Sequence, residues 1–121
     1  MKEKLDDRRP IYIQIKESIE DSIINGTLKV GERIPSTNEL AKFYNINPAT
    51  ARQGMNELAQ ENIIEKQRGV GMFVTERGKD KLLEHRKQLF YEKYVVPLKS
   101  EAAKLHISDE QLFDMLKKEG N

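Results

Sequence analysis

Two helix-start signals stand so close together in this chain that only one short helix and a tight turn fit between them. The first is Ser36 with Glu39 three positions later. In such a box the hydroxyl accepts the N–H of the third helical residue, and the carboxylate reaches back to the N–H of the cap. The second is Asn47-Pro48, a good N-cap followed by the residue best preorganised for a first helical position. The helix opened at Ser36, "STNELAKFY", has Leu40, Ala41 and Phe43 or Tyr44 on its apolar side and stops at Asn45. Only Asn45 and Ile46 then intervene before the next helix, which turns Ala51, Met55, Leu58 and Ala59 inward and ends near Asn62. Gly54 lies in its middle, at a cost of about 0.8–1 kcal/mol relative to Ala, and is expected where another helix packs closely.

The flanking segments narrow the choice further. Ile11, Ile15, Ile19 and Ile23 recur every fourth residue, with Tyr12 and Ile24 beside them and Lys16, Glu17, Glu20 and Asp21 on the other side. This spacing predicts an amphipathic helix from near Pro10 to Asn25-Gly26. "TLKVGERI" reads as an irregular connection with room for a short strand. Ile63-Ile64 and Phe73-Val74 fit two short strands, with Gly69 and Gly71 in the turn between them. A long helix, two short helices in tight succession and a hairpin describe a winged helix-turn-helix. The fold expected is mainly α with a small β-hairpin, the winged domain occupying residues 1–76 and a helical dimerisation tail residues 77–121.

The tail carries more apolar side chains than it can bury. Leu82, Leu83, Leu89, Phe90 and Tyr94 form an imperfect stripe, interrupted by Pro97 and continued by Leu98, Ala102 and Leu105. Ser108 caps a last helix with Gln111 at the box position, and Ile107 is placed to staple onto Leu112. Leu112, Phe113 and Leu116 then need a partner, which a segment this small does not supply from within. It must pack on the winged domain or on a second copy. Leu82, Leu89, Phe90, Tyr94, Leu98, Leu105, Leu112, Phe113 and Leu116 are the expected dimerisation residues.

Composition excludes several classes of function. There is no cysteine, which removes disulfides and thiolate metal sites, and the only histidines, His85 and His106, fall in the tail helices. Carboxylates are scattered among lysines as helix-surface charges, so neither an enzyme, a metal site nor a cofactor is expected. The charged start "MKEKLDDRRP" lacks the apolar core of a signal peptide, and no apolar run approaches a membrane span. A cytoplasmic protein without membrane contact is expected. Net charge is only +1, from 21 basic and 20 acidic residues, so non-specific affinity for nucleic acid should be modest.

With these elements in place, residues 10–74 resemble the DNA-binding domain of GntR-type bacterial transcription regulators. The family pattern runs P-x-Y-x-Q-I, G-x-L-x-x-G-x-x-x-P-S, E-L-A, a T-x-R helix and G-x-G-x-F-V. Pro10, Tyr12, Gln14, Ile15, Gly26, Leu28, Gly31, Pro35, Ser36, Leu40, Ala41, Thr50, Arg52, Leu58, Ile64, Gly69, Gly71, Phe73 and Val74 fall in register with it. The short tail and the "INPAT" start of the third helix look like the YtrA-type subfamily. That resemblance implies a homodimer on a pseudo-palindromic operator in double-stranded DNA, commonly as a repressor of transporter operons. An unidentified small-molecule effector would have to use the tail around Phe90, Tyr91 and Tyr94.

A helix-turn-helix inserts the leading end of its second helix into the major groove. Asn47, Ala49 and Thr50 form a small, uncharged leading end that lets backbone approach phosphate, and Arg52 and Gln53 follow one turn deeper. Arg suits guanine and Gln suits adenine, each pair contributing roughly 1–3 kcal/mol of discrimination. Ser36 is a cap first and a phosphate contact second, with Thr37 and Asn38 beside it. Arg68 and Gly69 in the wing are placed for the adjacent minor groove. Arg33 and Lys42 either touch the DNA backbone or are simply solvated. Asn38, Pro48 and Ala49 depart from the family, where Arg or Asn often stands. The rival reading is a winged helix used to bind another protein, which would want apolar residues outward on the third helix; Thr50, Gln53, Asn56 and Gln60 stand there instead.

Overall fold

The isoleucine stripe lies at the centre of the hydrophobic core. In the first helix, α1 (Ile11–Ile24), Ile15, Ile19 and Ile23 are essentially inaccessible to solvent. The structure is a computed structural model that describes residues 5–118. Residues 1–4 and 119–121, the outer ends of the two expected domains and of the charged N-terminal stretch, lie outside them. The rest of the core comes from Leu40 and Ala41 of α2 (Thr37–Tyr44), Ala51, Met55 and Leu58 of α3 (Pro48–Gln60), and Ile34, Ile63, Ile64 and Val74 around a small sheet.

α1 buries more than one face. Gln14, Ser18 and Ser22 form a second buried row. Each finds a partner, as burial of a polar group requires. Ser18 Oγ lies 3.1 Å from the Tyr44 hydroxyl, and Ser22 Oγ donates to the Ser18 carbonyl. The Gln14 amide accepts from the Asp6 N–H and donates to the Arg9 and Asp6 carbonyls, tying residues 6–9 onto the helix. Glu20, expected on the solvent side, is also buried. A single stripe counts only one packing face, whereas this helix is covered from several.

Gly54 explains itself by proximity. A Cβ there would stand 2.7 Å from the Tyr12 carbonyl oxygen of α1, so the two helices touch backbone to backbone, as a mid-helix glycine suggested. Lys16 of α1 adds ion pairs to Glu57 and Glu61 at the far end of α3.

The expected hairpin is present as β2 (Ile64–Gln67) and β3 (Gly71–Val74), and it gains a third strand. β1 (Arg33–Ile34) pairs antiparallel with β3, giving the order β1-β3-β2, with Arg33 opposite Phe73 and Ile34 opposite Met72. The short strand for which "TLKVGERI" had room is thus Arg33–Ile34, at the end of that stretch.

Two compact units divide the chain, 1–84 and 85–121. Leu82 corrects one expectation. It sits in α4 (Gly78–Phe90) but is wholly buried in the core built on α1, and so is not available to a second copy. In the second unit the helix does not break at Pro97. A π turn over Tyr91–Val95, with the Val96 N–H bonded to the Tyr91 carbonyl, leads into α5 (Val96–Lys104), which holds Pro97 in its first turn. The wider turn accommodates the missing donor and the ring that would otherwise clash with the carbonyl four residues back. α6 (Asp109–Lys117) completes the unit.

Candidate nucleic-acid interface

α2 and α3 are held in their relative position by signals within a few residues of the turn. Ser36 Oγ accepts from the Glu39 N–H and the Glu39 carboxylate accepts from the Ser36 N–H, each at 3.1 Å. At the other end Asn45 closes α2 in the left-handed conformation, φ 54°, where asparagine is tolerated. The Ile46 N–H returns to the Ala41 carbonyl and that of Asn45 to Lys42, a glycine-free Schellman end. The Asn47 side chain then accepts from the Ala49 N–H at 2.8 Å, and Pro48 opens α3. The same left-handed closure recurs after α3 at Asn62 and after α5 at His106.

The result is a helix with one committed flank and one bare flank. Ala51, Gly54, Met55 and Leu58 face the core. Pro48, Ala49, Arg52, Gln53, Asn56 and Gln60 are exposed, and Thr50 is half-buried. No apolar side chain larger than Ala49 or Pro48 stands on that flank. Arg52, Gln53 and Asn56 make no hydrogen bond or ion pair among the described residues, so their polar groups are available to an outside partner. Asn56 belongs with Arg52 and Gln53 by its spacing of three to four residues. The expected site lacks Asn56, although that spacing marks it in the sequence.

The other expected contact residues are distributed in three places. Asn47 has already spent its side-chain oxygen on the cap, which leaves its amide N–H groups for a contact. Ser36 is likewise engaged as a cap, beside half-buried Thr37 and exposed Asn38. At the wing, the Val70 N–H donates to the Gln67 carbonyl at 2.9 Å across a tight turn. Gly69 adopts φ +76° there, a conformation that costs glycine least. Arg68 is exposed at the tip and makes no ion pair among the described residues, while Val70 beside it is an exposed apolar side chain.

Arg33 is neither solvated freely nor pointing outward alone. Its Nη2 donates to Glu39 at 3.0 Å, and its stem runs past Gly71, where a Cβ would meet Nε at 3.0 Å. The Ser36 backbone N–H, followed by Arg33, holds the Glu39 carboxyl below the usual carboxylate range.

The second unit has a surface of a different kind. Leu89, Phe90, Tyr94, Leu98, Leu105, Phe113 and Leu116, all expected to meet a second copy, are exposed. Leu112 is not: together with Ala102 it is buried within the tail. The Phe90 and Tyr94 rings lie against each other in a tilted arrangement, centroids 5.4 Å apart and planes at 47°, on either side of the π turn's start. Among the described residues no group of His or carboxylate side chains is arranged to hold a metal, and no helix is long and apolar enough to cross a membrane.

Comparison with known proteins matches this geometry to one family. Residues 11–74 match the family described as "Bacterial regulatory proteins, gntR family". The chain is 39% identical over 75 residues to the HTH-type transcriptional repressor YtrA of Bacillus subtilis, covering 62% of this chain and 58% of that protein. It thus spans little more than half of that relative. A GntR family transcriptional regulator from Listeria monocytogenes superposes with a TM-score of 0.79 at 33% identity, over 96% of this chain and all of the other. S. agalactiae BusR, solved in complex with its busAB promoter DNA, gives a TM-score of 0.58 at 30% identity over 87% of this chain and 50% of BusR.

Proposed function

This chain belongs to the gntR family of bacterial regulatory proteins, and on that premise we propose that it is a sequence-specific DNA-binding transcription regulator acting as a homodimer. The bare polar flank of α3 carries the reading. Polar residues are ordinary on the solvent side of a helix; what favours a duplex is that Arg52, Gln53 and Asn56, unpaired among the described residues, lie on the exposed flank of the second helix of a helix-turn-helix, the element that enters a major groove. Asn47, Thr50 and the first-turn N–H groups would meet phosphate, which orients the helix without reading sequence. Arg52 and Gln53, with Asn56 behind them, would meet base edges. Ser36, Thr37 and Asn38 would touch the phosphates flanking the groove, and Arg68 and Gly69 the neighbouring minor groove.

The homodimer is supported by the second unit, whose exposed leucines and aromatics need a cover that it does not provide itself. A second copy covers them by symmetry and presents two α3 helices to the two halves of a pseudo-palindrome, their centres about 34–36 Å apart or a multiple of that. BusR, which this chain resembles beyond the winged domain, is a precedent for promoter DNA as partner. Repression is taken by analogy with the relative named as a repressor, the protein working beside the chromosome in the cytoplasm. Any small effector would enter between the tails around Phe90, Tyr91 and Tyr94.

The test is a gel shift with salt titration on fragments selected from the source genome. Log affinity should fall linearly with log salt. Arg52→Ala should weaken binding about 5–150-fold and relax sequence preference, as loss of roughly 1–3 kcal/mol at one base pair implies. Lys87→Ala, on the tail, should change neither. No retarded fragment, or affinity indifferent to salt, would refute the DNA reading and favour a protein-binding winged helix. Light scattering after size exclusion should give a dimer; a strict monomer at micromolar concentration would refute the dimer.

A further inference from the structure

The base of the wing and the start of α2 are joined by one side chain, Arg33. Its backbone lies in β1 opposite Phe73, its stem crosses the face of Gly71 in β3, and its guanidinium ends on Glu39 in the first turn of α2. Glu39 presents a difficulty for a DNA-binding helix. Its carboxylate is needed at that position, because it closes the capping box on the Ser36 N–H. Yet it also places a full negative charge, on a half-exposed side chain, beside Ser36, Thr37 and Asn38, where the proposed function brings phosphate. Like charges brought together across an interface suppress binding.

Building on the DNA reading above, we infer that Arg33 is a positioning residue that neutralises Glu39 and keeps it folded onto Ser36, so that phosphate can approach the start of α2. It is not primarily a phosphate ligand. Three observations agree. Glu39 is the partner the guanidinium has, at 3.0 Å. The Arg33 stem passes Gly71, at a position with φ +137° where any side chain would strain the backbone and its Cβ would crowd Nε at 3.0 Å. And Glu39 Oε1 receives the Ser36 N–H and Arg33 together, so one oxygen serves the cap and the mask. The second glycine of the wing's G-x-G therefore has a role beyond the turn: it leaves the path open for Arg33.

The experiment uses the full chain and a short mixed-sequence duplex, since phosphate contacts are independent of sequence. Affinity is measured by fluorescence anisotropy across a salt series for wild type, Arg33→Gln, Glu39→Gln and the double variant. Glutamine at 39 retains the capping box, so the helix start survives. Arg33→Gln should weaken binding about tenfold at low salt, through an unmasked carboxylate facing phosphate. The double variant should return to within about twofold of wild type with the same salt slope. Arg33→Gln combined with Glu110→Gln, which restores net charge from a carboxylate of the other unit, should stay weak. A double variant as weak as Arg33→Gln, with a salt slope lower by about one, would show Arg33 to be a phosphate ligand and overturn the inference. Equal rescue by Glu110→Gln would overturn it too, by reducing the effect to net charge. If wild type binds no duplex, the DNA reading falls and takes this inference with it; a binding wild type with an unrescued double variant sinks the inference alone.

Discussion

The two units of this protein are written in the same local signals and end in opposite states. Each has a serine capping box, Ser36 with Glu39 in the first and Ser108 with Gln111 in the second. Each closes a helix with a left-handed residue other than glycine, Asn45 and Asn62 in the first and His106 in the second. In the first unit the helices then enclose a core of aliphatic side chains around α1. In the second, Ala102 and Leu112 are the described apolar residues that reach full burial, while Phe113 and Leu116 remain 60% and 71% exposed. Helix-forming signals therefore say little about whether a core will close. Closure needs surfaces that meet, and helices packed with a sheet supply them where the helices of the tail do not.

The sharpest way to break this contrast is to remove a large apolar side chain from each unit. Leu58→Ala in the first should cost about 2–5 kcal/mol in urea denaturation, because it deletes a wholly buried side chain and leaves a cavity. Phe113→Ala in the second should cost less than about 0.5 kcal/mol in dilute monomer, since little is buried there, but should weaken self-association by roughly 1 kcal/mol or more in equilibrium sedimentation. Equal destabilisation of the dilute monomer by both would erase the distinction between a closed and an open unit.

A smaller effect probes how tightly the first unit closes. Gly54→Ala gains about 0.8–1 kcal/mol of helix propensity. Its new methyl, however, would lie 2.7 Å from the Tyr12 carbonyl, part of a backbone that yields only by moving α1. Overpacking of this kind costs about 1–3 kcal/mol, so a lowered melting midpoint is expected, and a raised one would mean that α1 and α3 pack more loosely than their geometry implies.

The smallest effects compare the helix ends. His106→Gly should stabilise the tail by about 0.5–1 kcal/mol in thermal melts, relieving a left-handed histidine. Asn45→Gly, at the helix-turn-helix turn, should change stability by less than about 0.5 kcal/mol, because asparagine already tolerates that conformation. A larger gain at Asn45 than at His106 would reverse the expected order of strain between the units.

Much of the winged unit could be read directly from the chain. Ser36, Glu39, Asn47 and Pro48 act through hydrogen bonds to groups within a few residues, so their pattern survives translation from sequence to structure unchanged. The exposed row on α3 follows from the same helical spacing that buries Met55 and Leu58. What was not legible depends on residues far apart in the chain. Burial of Glu20 and Leu82 follows from which elements surround α1, and the short strand for which "TLKVGERI" had room takes its position and register from the edge that β3 offers. The passage of the helix beyond Pro97 depends on a π turn that no propensity specifies. Arg33 could be named as a cation near the site, but its hold on Glu39 required Gly71 to be brought alongside from the other end of the domain.

The amino-acid sequence by itself determined where α2, α3 and α6 begin, the turn that joins α2 to α3, and the membership of residues 11–74 in a regulatory family, because each is encoded by near neighbours or by an ordered string of types. Tertiary structure alone decided which apolar residues closed into a core and which stayed exposed, and which charges met. Burial and ion pairing are set by distance in space, and distance in space is fixed only when the whole chain has packed.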